Sequence, residues 1–258
     1  MSDKDLKPPP HLSASSIGTF QQCPLKFKFN KIDLIPDEPG EAAVLGNFVH
    51  DILEAMYKLS PEERTKESAK VTAKYVWENL WEEQVLRMIR GEEKIRMFRW
   101  QAWWCVENLW KIEDPQSIEP AGLEFEVYGE IGGVTVKGFI DRYTINPETG
   151  MIVVSDYKTG KTPRDQYLDD KFFQLNIYAN MVESMGVGQV EEIELLYLKD
   201  GIKKQRKTTS IEKVKAVEVI QETKAEVDKR CDDGYFEPIK SALCNWCSYK
   251  KICPAWNK

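Results

Sequence analysis

Apolar positions recur along this chain with two periods, and the change of period divides it. From Ala42 to Leu59 the residues Leu45, Phe48, Val49, Ile52, Leu53 and Met56 make one stripe, the mark of an amphipathic helix. Helical patterning resumes behind Ser60-Pro61-Glu62-Glu63, which has capping-box spacing and proline at the first helical position. It continues to Arg90 and again from Glu92 to Ile112, and Asp114-Pro115 ends it. From Gly122 the period becomes two. Gly132-Gly133 joins LEFEVYGEI to VTVKGFIDRYT, and Asn146-Pro147-Glu148-Thr149-Gly150 joins that strand to MIVVSDYK. Asp165–Met185 returns to helical spacing. A last hairpin turns at Asp200-Gly201, and Ser210–Asp233 forms a long charged helix ended by Gly234. Before all this, residues 1–11 are polar and proline-rich, Ser13 or Ser15 caps a short helix, and Phe20 faces the core. The pattern predicts an α/β fold with a mixed central sheet that the helices wrap.

Strand alternation then exposes candidate chemistry. Asp156 and Lys158 sit two apart at a strand end, so they share a face and Tyr157 takes the other. Pairing across the turn brings Asp141 beside them. Two carboxylates suit a hard divalent cation, and a nearby ammonium neutralises charge on a phosphodiester. Such a pair is also common as a solvated surface contact. Glu124 and Glu126, on the preceding strand, could each add a carboxylate. His50, one of two histidines, flanks the Ala42–Leu59 stripe, where a ring is either packed or a ligand better suited to Mn²⁺ than Mg²⁺. Gly46, one turn earlier, permits close approach of another backbone.

Composition narrows the classes. Net charge is −6, so any nucleic-acid contact must come from a local patch and not from bulk charge. The basic run Lys203–Lys207 reads as a solvated edge strand or a phosphate-contacting rim. No apolar run reaches the ~18 residues of a membrane span. MSDKDLKPPP has no apolar signal core, which points to a cytoplasmic protein. Without a signal, six cysteines argue for metal or thiol chemistry over disulfides. Cys244, Cys247 and Cys253 lie within ten residues, in CNWCSYKKICP, and Cys23 is the best fourth ligand because it too precedes a proline. Zinc and an iron–sulfur cluster both accept such a set. Cys105 and Cys231 read as buried thiols. The tryptophans of residues 77–110 read as helix–helix core, or alternatively as a stacking surface for single-stranded bases.

Six stretches in order carry a resemblance over nearly the whole chain: LSASSIGTFQQCPLKFKF, GNFVHDILE, GFIDRYT, VSDYKTGK, QLNIYA and CNWCSYKKICP. They resemble the RecB-type branch of the PD-(D/E)XK nucleases, close to the CRISPR-associated RecB-like exonucleases and their phage-encoded relatives. The resemblance implies a restriction-endonuclease-like core. It makes His50, Asp141 and Asp156 metal-binding positions, with the Tyr157 carbonyl as a further ligand and Lys158 as the catalytic lysine. Gln174 and Tyr178 match the Q-x-x-x-Y motif that supports the site and contacts DNA. Cys23, Cys244, Cys247 and Cys253 match the ligands of a 4Fe-4S cluster, with Zn²⁺ as the alternative. The expected division is a flexible arm (1–11), a helical region (12–112), a nuclease core (113–233) and a cysteine-rich segment (234–258) closing onto Cys23.

The activity this implies is a Mg²⁺- or Mn²⁺-dependent exonuclease acting on DNA, at single-stranded ends. The context would be recombination, repair or CRISPR-type processing, with proteins of those pathways as partners. The alternative is a non-catalytic DNA-binding adaptor of a recombination or CRISPR-adaptation complex. An oligomer is left open by the patterning. No Walker A loop is present, so the chain is not a helicase–nuclease.

Overall fold

The computed structural model of this chain describes residues 6–256, so residues 1–5 of the expected arm lie outside the described residues. Its centre is a five-stranded sheet: β1 (Pro120–Ile131), β2 (Val134–Ile145), β3 (Ile152–Lys158), β4 (Val190–Tyr197) and β5 (Ile202–Lys207). The strands lie in chain order. All neighbours are antiparallel except β3 and β4, which are parallel. A parallel pair needs a crossover, and α7 (Leu168–Ser184) supplies it. The expected α/β class with a mixed sheet is what the chain adopts.

Helices cover both faces. One face buries Val127, Val136, Val154, Ile193 and Leu195 under α1 (Ala14–Gln22), α7 and α8 (Ser210–Asp232). Ser13 caps α1 in a reciprocal box with Ser16. The preceding chain is tied to β2, since Leu12 N–H donates to the Thr135 carbonyl at 3.0 Å and Leu12 O accepts from Lys137 N–H at 2.8 Å. Leu6 packs on the same core. The other face buries Tyr157, Leu196 and Leu198 under α3 (Glu41–Tyr57), α4 (Lys66–Val76) and α6 (Glu92–Ile112). Among the described residues, no helix is long and apolar enough to cross a membrane.

Two departures from the pattern have local causes. The capping box at Ser60 forms, but it closes a single 3-10 turn, Pro61–Glu63. The helix proper starts at Lys66 behind Thr65. Arg64 explains the break: it is buried and donates to the carbonyls of Tyr57, Leu59, Pro115 and Ile118, which pulls its backbone out of helical geometry. The tryptophans also divide. Trp77 and Trp81 are buried around Phe48, on a π-helical turn that links α4 to α5 (Glu82–Met88). Trp100 and Trp104 are exposed instead. At the sheet edge, Lys203, Lys204 and Arg206 of β5 pair with Glu194, Asp165 and Asp169, so this basic run is largely internally compensated.

Candidate active site

The site is built where β2 and β3 part. Their ladder closes at Arg142 and Ser155. Beyond it, the Asp141 carboxylate takes over the strand's role, accepting the Tyr157 amide proton at Oδ2 over 2.7 Å. Asp156 and Lys158 share a face, as alternation requires, and lie 2.5 Å apart from Oδ2 to Nζ. Asp156 is buried, and its Oδ2 has that ammonium contact but no hydrogen-bond partner of proper geometry.

A kink in β1 completes the acidic group. Glu124 has φ 42, a left-handed backbone that a residue with a Cβ adopts at a cost of about 1–2 kcal/mol. Facing side chains change sides there. Leu123 packs with the α3–α6 core, whereas Phe125 packs with the core of α1, α7 and α8. On β2, Ile140 belongs to that second core, while Arg142 reaches Tyr57 of α3. The bend turns the Glu124 carboxylate toward α3, where His50 waits. His50 Nδ1 lies 3.4 Å from Asp141 Oδ1 and 4.0 Å from Glu124 Oε1. Its Nε2 lies 3.1 Å from the Tyr157 carbonyl oxygen.

Among the described residues, the metal-ligating side chains that gather within 4.8 Å of one another are His50, Glu124 and Asp141. The expected ligands are His50, Asp141 and Asp156 with the Tyr157 carbonyl, and Glu124 is a candidate further carboxylate. Glu124 joins the group, while Asp156 lies outside this 4.8 Å set with its Oδ2 against Lys158. Glu126 points elsewhere, pairing with Lys137 at 2.8 Å. No sequence signal marks the left-handed residue, which is neither glycine nor asparagine.

Like charge is concentrated here. Burial and the Asp141 charge push Glu124 up to about 7 and Asp156 to about 6, against the pull of Lys158 on the latter. Burial disfavours a charged His50 ring, but Asp141 outweighs it and holds the ring at about 9. A pocket that retains protons on carboxylates is one where burial and like charge together outweigh the nearby cations. The donor set fits a hard divalent cation: carboxylates, one main-chain carbonyl, one imidazole and a buried carboxylate oxygen without a hydrogen bond.

Gln174 and Tyr178 lie on α7. Gln174 Nε2 donates to Tyr178 Oη at 3.0 Å. The Tyr178 ring lies against β2 at Gly138, where a Cβ would come within 2.6 Å of the ring. Only glycine permits that approach. Burial, with Asp156 and Asp141 nearby, raises the Tyr178 hydroxyl to about 12, though Gln174 acts the other way. Gly46 meets the Thr159 side chain rather than a backbone; a Cβ there would stand 3.4 Å from Oγ1.

Far from this pocket, Cys23, Cys244, Cys247 and Cys253 line one cavity of about 60 Å³ together with Trp256 and Tyr249. Ile239 N–H donates to Cys23 Sγ and Ser241 N–H to Cys244 Sγ, each at 3.4 Å. The Ser241 amide holds the Cys244 thiol below its ordinary range. Tetrahedral zinc would bring its sulfurs to about 3.8 Å apart. The four thiols form no group within 4.8 Å among the described residues. Cys105 and Cys231 are buried, as expected, and burial raises both thiols.

The family model for the PD-(D/E)XK nuclease superfamily matches residues 11–254. The chain belongs to the PD-(D/E)XK nuclease superfamily. That name spells an acidic residue, one intervening position and a lysine, and Asp156-Tyr157-Lys158 has this form. Among relatives of this PD-(D/E)XK chain, the Gene 69 protein of Mycobacterium phage L5 is 26% identical over 296 residues, covering 96% of this chain and 97% of its own. The Gene 69 protein of Mycobacterium phage D29 is 24% identical over 295 residues with the same coverage. A solved structure of a candidate exonuclease from Eubacterium rectale superposes with a TM-score of 0.60 at 14% identity, covering 95% of this chain and 89% of that one. At that identity the likeness speaks to the shared fold.

Proposed function

We propose that this PD-(D/E)XK protein is a metal-dependent deoxyribonuclease that removes nucleotides from DNA ends, single-stranded ends in particular. One observation carries the reading: His50 and Asp141 both meet the main chain at Tyr157, Glu124 stands against the same His50 ring, and the Asp156–Lys158 pair flanks Tyr157 on its strand. Mg²⁺ or Mn²⁺ held by Asp141, Asp156, the Tyr157 carbonyl and His50, with Glu124 beside them, would supply Lewis-acid activation of water and phosphate. Lys158 presents its ammonium at the same face and stabilises negative charge building on the phosphate. Asp141 fixes the 156–157 peptide through the Tyr157 N–H, while His50 Nε2 meets the Tyr157 carbonyl. Gln174 and Tyr178 close the pocket from α7 and offer hydrogen bonds to a bound strand.

The cysteine cavity is assigned to a structural 4Fe-4S cluster, with Zn²⁺ as the alternative. Four thiols lining one cavity support a shared inorganic group, which would tie residue 23 to the 234–258 segment closing onto it. Iron and sulfide content after anaerobic purification decides between them. Recombination, repair or CRISPR-type processing is the proposed setting, because each generates free DNA ends.

The activity test uses end-labelled linear DNA, single- and double-stranded, with Mn²⁺ or with chelator. Release of mononucleotides in Mn²⁺ is expected from the wild type. Lys158→Ala should lose about 10²–10³ in rate, the usual loss on removing one charge-stabilising group. Equal degradation by both proteins, or binding without cleavage in every divalent metal, overturns the assignment.

A further inference from the structure

The activity described above leaves the tryptophan-rich helices unused. Helices α4 and α6 enclose a groove of about 930 Å³ whose floor is made by Phe48 and Ile52 of α3, the helix that carries His50. Lys70, Lys74, Arg96 and Arg99 line it, and so do Trp100 and Trp103. Glu92 and Glu93 also border it, which leaves the cations in excess. Lys74 reaches Glu78 at 3.7 Å. Lys70, Arg96 and Arg99 have no carboxylate within 4.0 Å among the described residues. Lys70 lies over Trp103 at 5.3 Å and Arg99 over Trp77 at 4.9 Å, so cations and indoles interleave.

A stripe of α6 extends this surface. Arg96, Trp100 and Trp104 follow each other at one-turn spacing. The two indoles stack at 5.6 Å with 23° between their planes, yet remain 53% and 39% exposed. Lys111 lies over Trp104 at 5.0 Å. Trp104 is fixed in place, donating from Nε1 to the Lys199 carbonyl at 3.1 Å. The neighbouring Leu198 N–H donates to the Lys158 carbonyl at 2.9 Å. The stripe therefore ends beside the main chain that emerges from Lys158.

We propose that the Trp100–Trp104 stripe and its cationic groove form a binding track for single-stranded DNA that leads to the Lys158 end of the sheet. Unpaired bases present faces that exposed indoles can stack on, and a duplex hides those faces. The lysines and arginines meet phosphates, and in a chain of net charge −6 they form the local patch that such binding requires. The proposal rests on the nuclease reading for its substrate, but its test does not depend on cleavage.

Fluorescence anisotropy of labelled oligo(dT) is measured on the full chain in chelator, beside a blunt duplex of equal length. Trp100→Ala should weaken oligo(dT) binding at least about fivefold, the low end for one lost base–aromatic stack, and leave the duplex unaffected. Arg96→Gln, at a residue with no cation–π contact among the described residues, should lower the slope of log affinity against log salt by about 1. Thermal melts confirm folding of both variants. Unchanged oligo(dT) affinity and salt slope in both, or an equal loss for oligo and duplex in Trp100→Ala, overturns the track. If instead the wild type cleaves nothing while these differences hold, the nuclease reading fails and the track stands.

Discussion

Two polar clusters adjoin on the same pair of strands, and they are built on opposite principles. On the α3 side of the sheet, buried Arg142 donates to Glu113 from both terminal nitrogens, to Tyr57 at 2.8 Å and to Ser155 at 3.3 Å. Ser155 donates on to Glu194 at 2.9 Å, which receives Lys203 at 2.8 Å. Two cations meet two carboxylates, and the guanidinium is held charged, well above its ordinary value, against burial, by Tyr157 and Glu113. One residue along each strand, Asp141 and Asp156 join Glu124 in a group where three carboxylates face two cations, Lys158 and the His50 ring that Asp141 keeps protonated to about pH 9. There the carboxylates are pushed up instead of held down. The first cluster balances its charges, though Arg142 Nε is left without a hydrogen bond; the second is short of positive charge. Residue types barely differ, so charge balance is what separates a fastening from a site.

The largest effect should come from unbalancing the fastening. Arg142→Ala leaves Glu113 buried beside Tyr57 without its partner, a change that costs about 3–5 kcal/mol. Urea denaturation should show that loss in the midpoint. Replacing both members with apolar residues, Arg142→Met with Glu113→Leu, should recover most of it, since well-packed isosteres of buried pairs are often neutral. If the single change costs less than about 1 kcal/mol, the contrast between the clusters collapses.

An intermediate effect is expected at the kink. In ordinary backbone, alanine is more stabilising than glycine. At φ 42 the order should invert, with Glu124→Gly more stable than Glu124→Ala by about 1 kcal/mol. Both should bind Mn²⁺ more weakly than wild type, because both remove a carboxylate from the pocket. Alanine outlasting glycine in the same denaturation assay would mean that the left-handed turn is not what aims this side chain.

Much of this could be read in the chain itself, for reasons of geometry. Period-two alternation put Asp156 and Lys158 on one face, and a short turn placed Asp141 near them; both relations are local. The helix from Glu92 to Ile112 was readable for the same reason. Cys23 shares a cavity with three cysteines more than 200 residues later, and a chelate's need for four ligands hinted at that. What escaped was conformational or long-range. Glu124 was readable as a candidate carboxylate on the neighbouring strand, but the left-handed backbone that aims it was not. Arg142 and Glu113 belong to different elements, and neither shows a partner in sequence, though a lone arginine between apolar strand positions could have prompted a search. The tryptophans share one composition signal but two fates, because which side of α6 or the α4–α5 turn faces the core depends on tertiary packing.

The smallest and most diagnostic effect is in pH. Glu124, Asp156 and His50 all have folded-state values raised above their ordinary ones. Each therefore binds protons more tightly folded than unfolded, so metal-free stability should fall as pH rises from about 4 to about 9, the carboxylates acting up to about 7 and His50 above that. His50 contributes by losing the stabilisation it has below its ordinary value as pH passes its folded value, and the two carboxylates by becoming charged in a crowded pocket. A divalent cation reverses the balance, since it needs ionised carboxylates and a neutral ring. Mn²⁺ should thus bind more tightly at pH 8 than at pH 6, with net proton release, and the thermal shift it produces should grow over the same interval. Calorimetry in buffers of different ionisation enthalpy reads the released protons directly. The Arg142 cluster predicts none of this, because its charges are already paired; a Mn²⁺ affinity independent of pH would show that the acidic pocket is balanced in the same way, and the distinction between the two clusters would be lost.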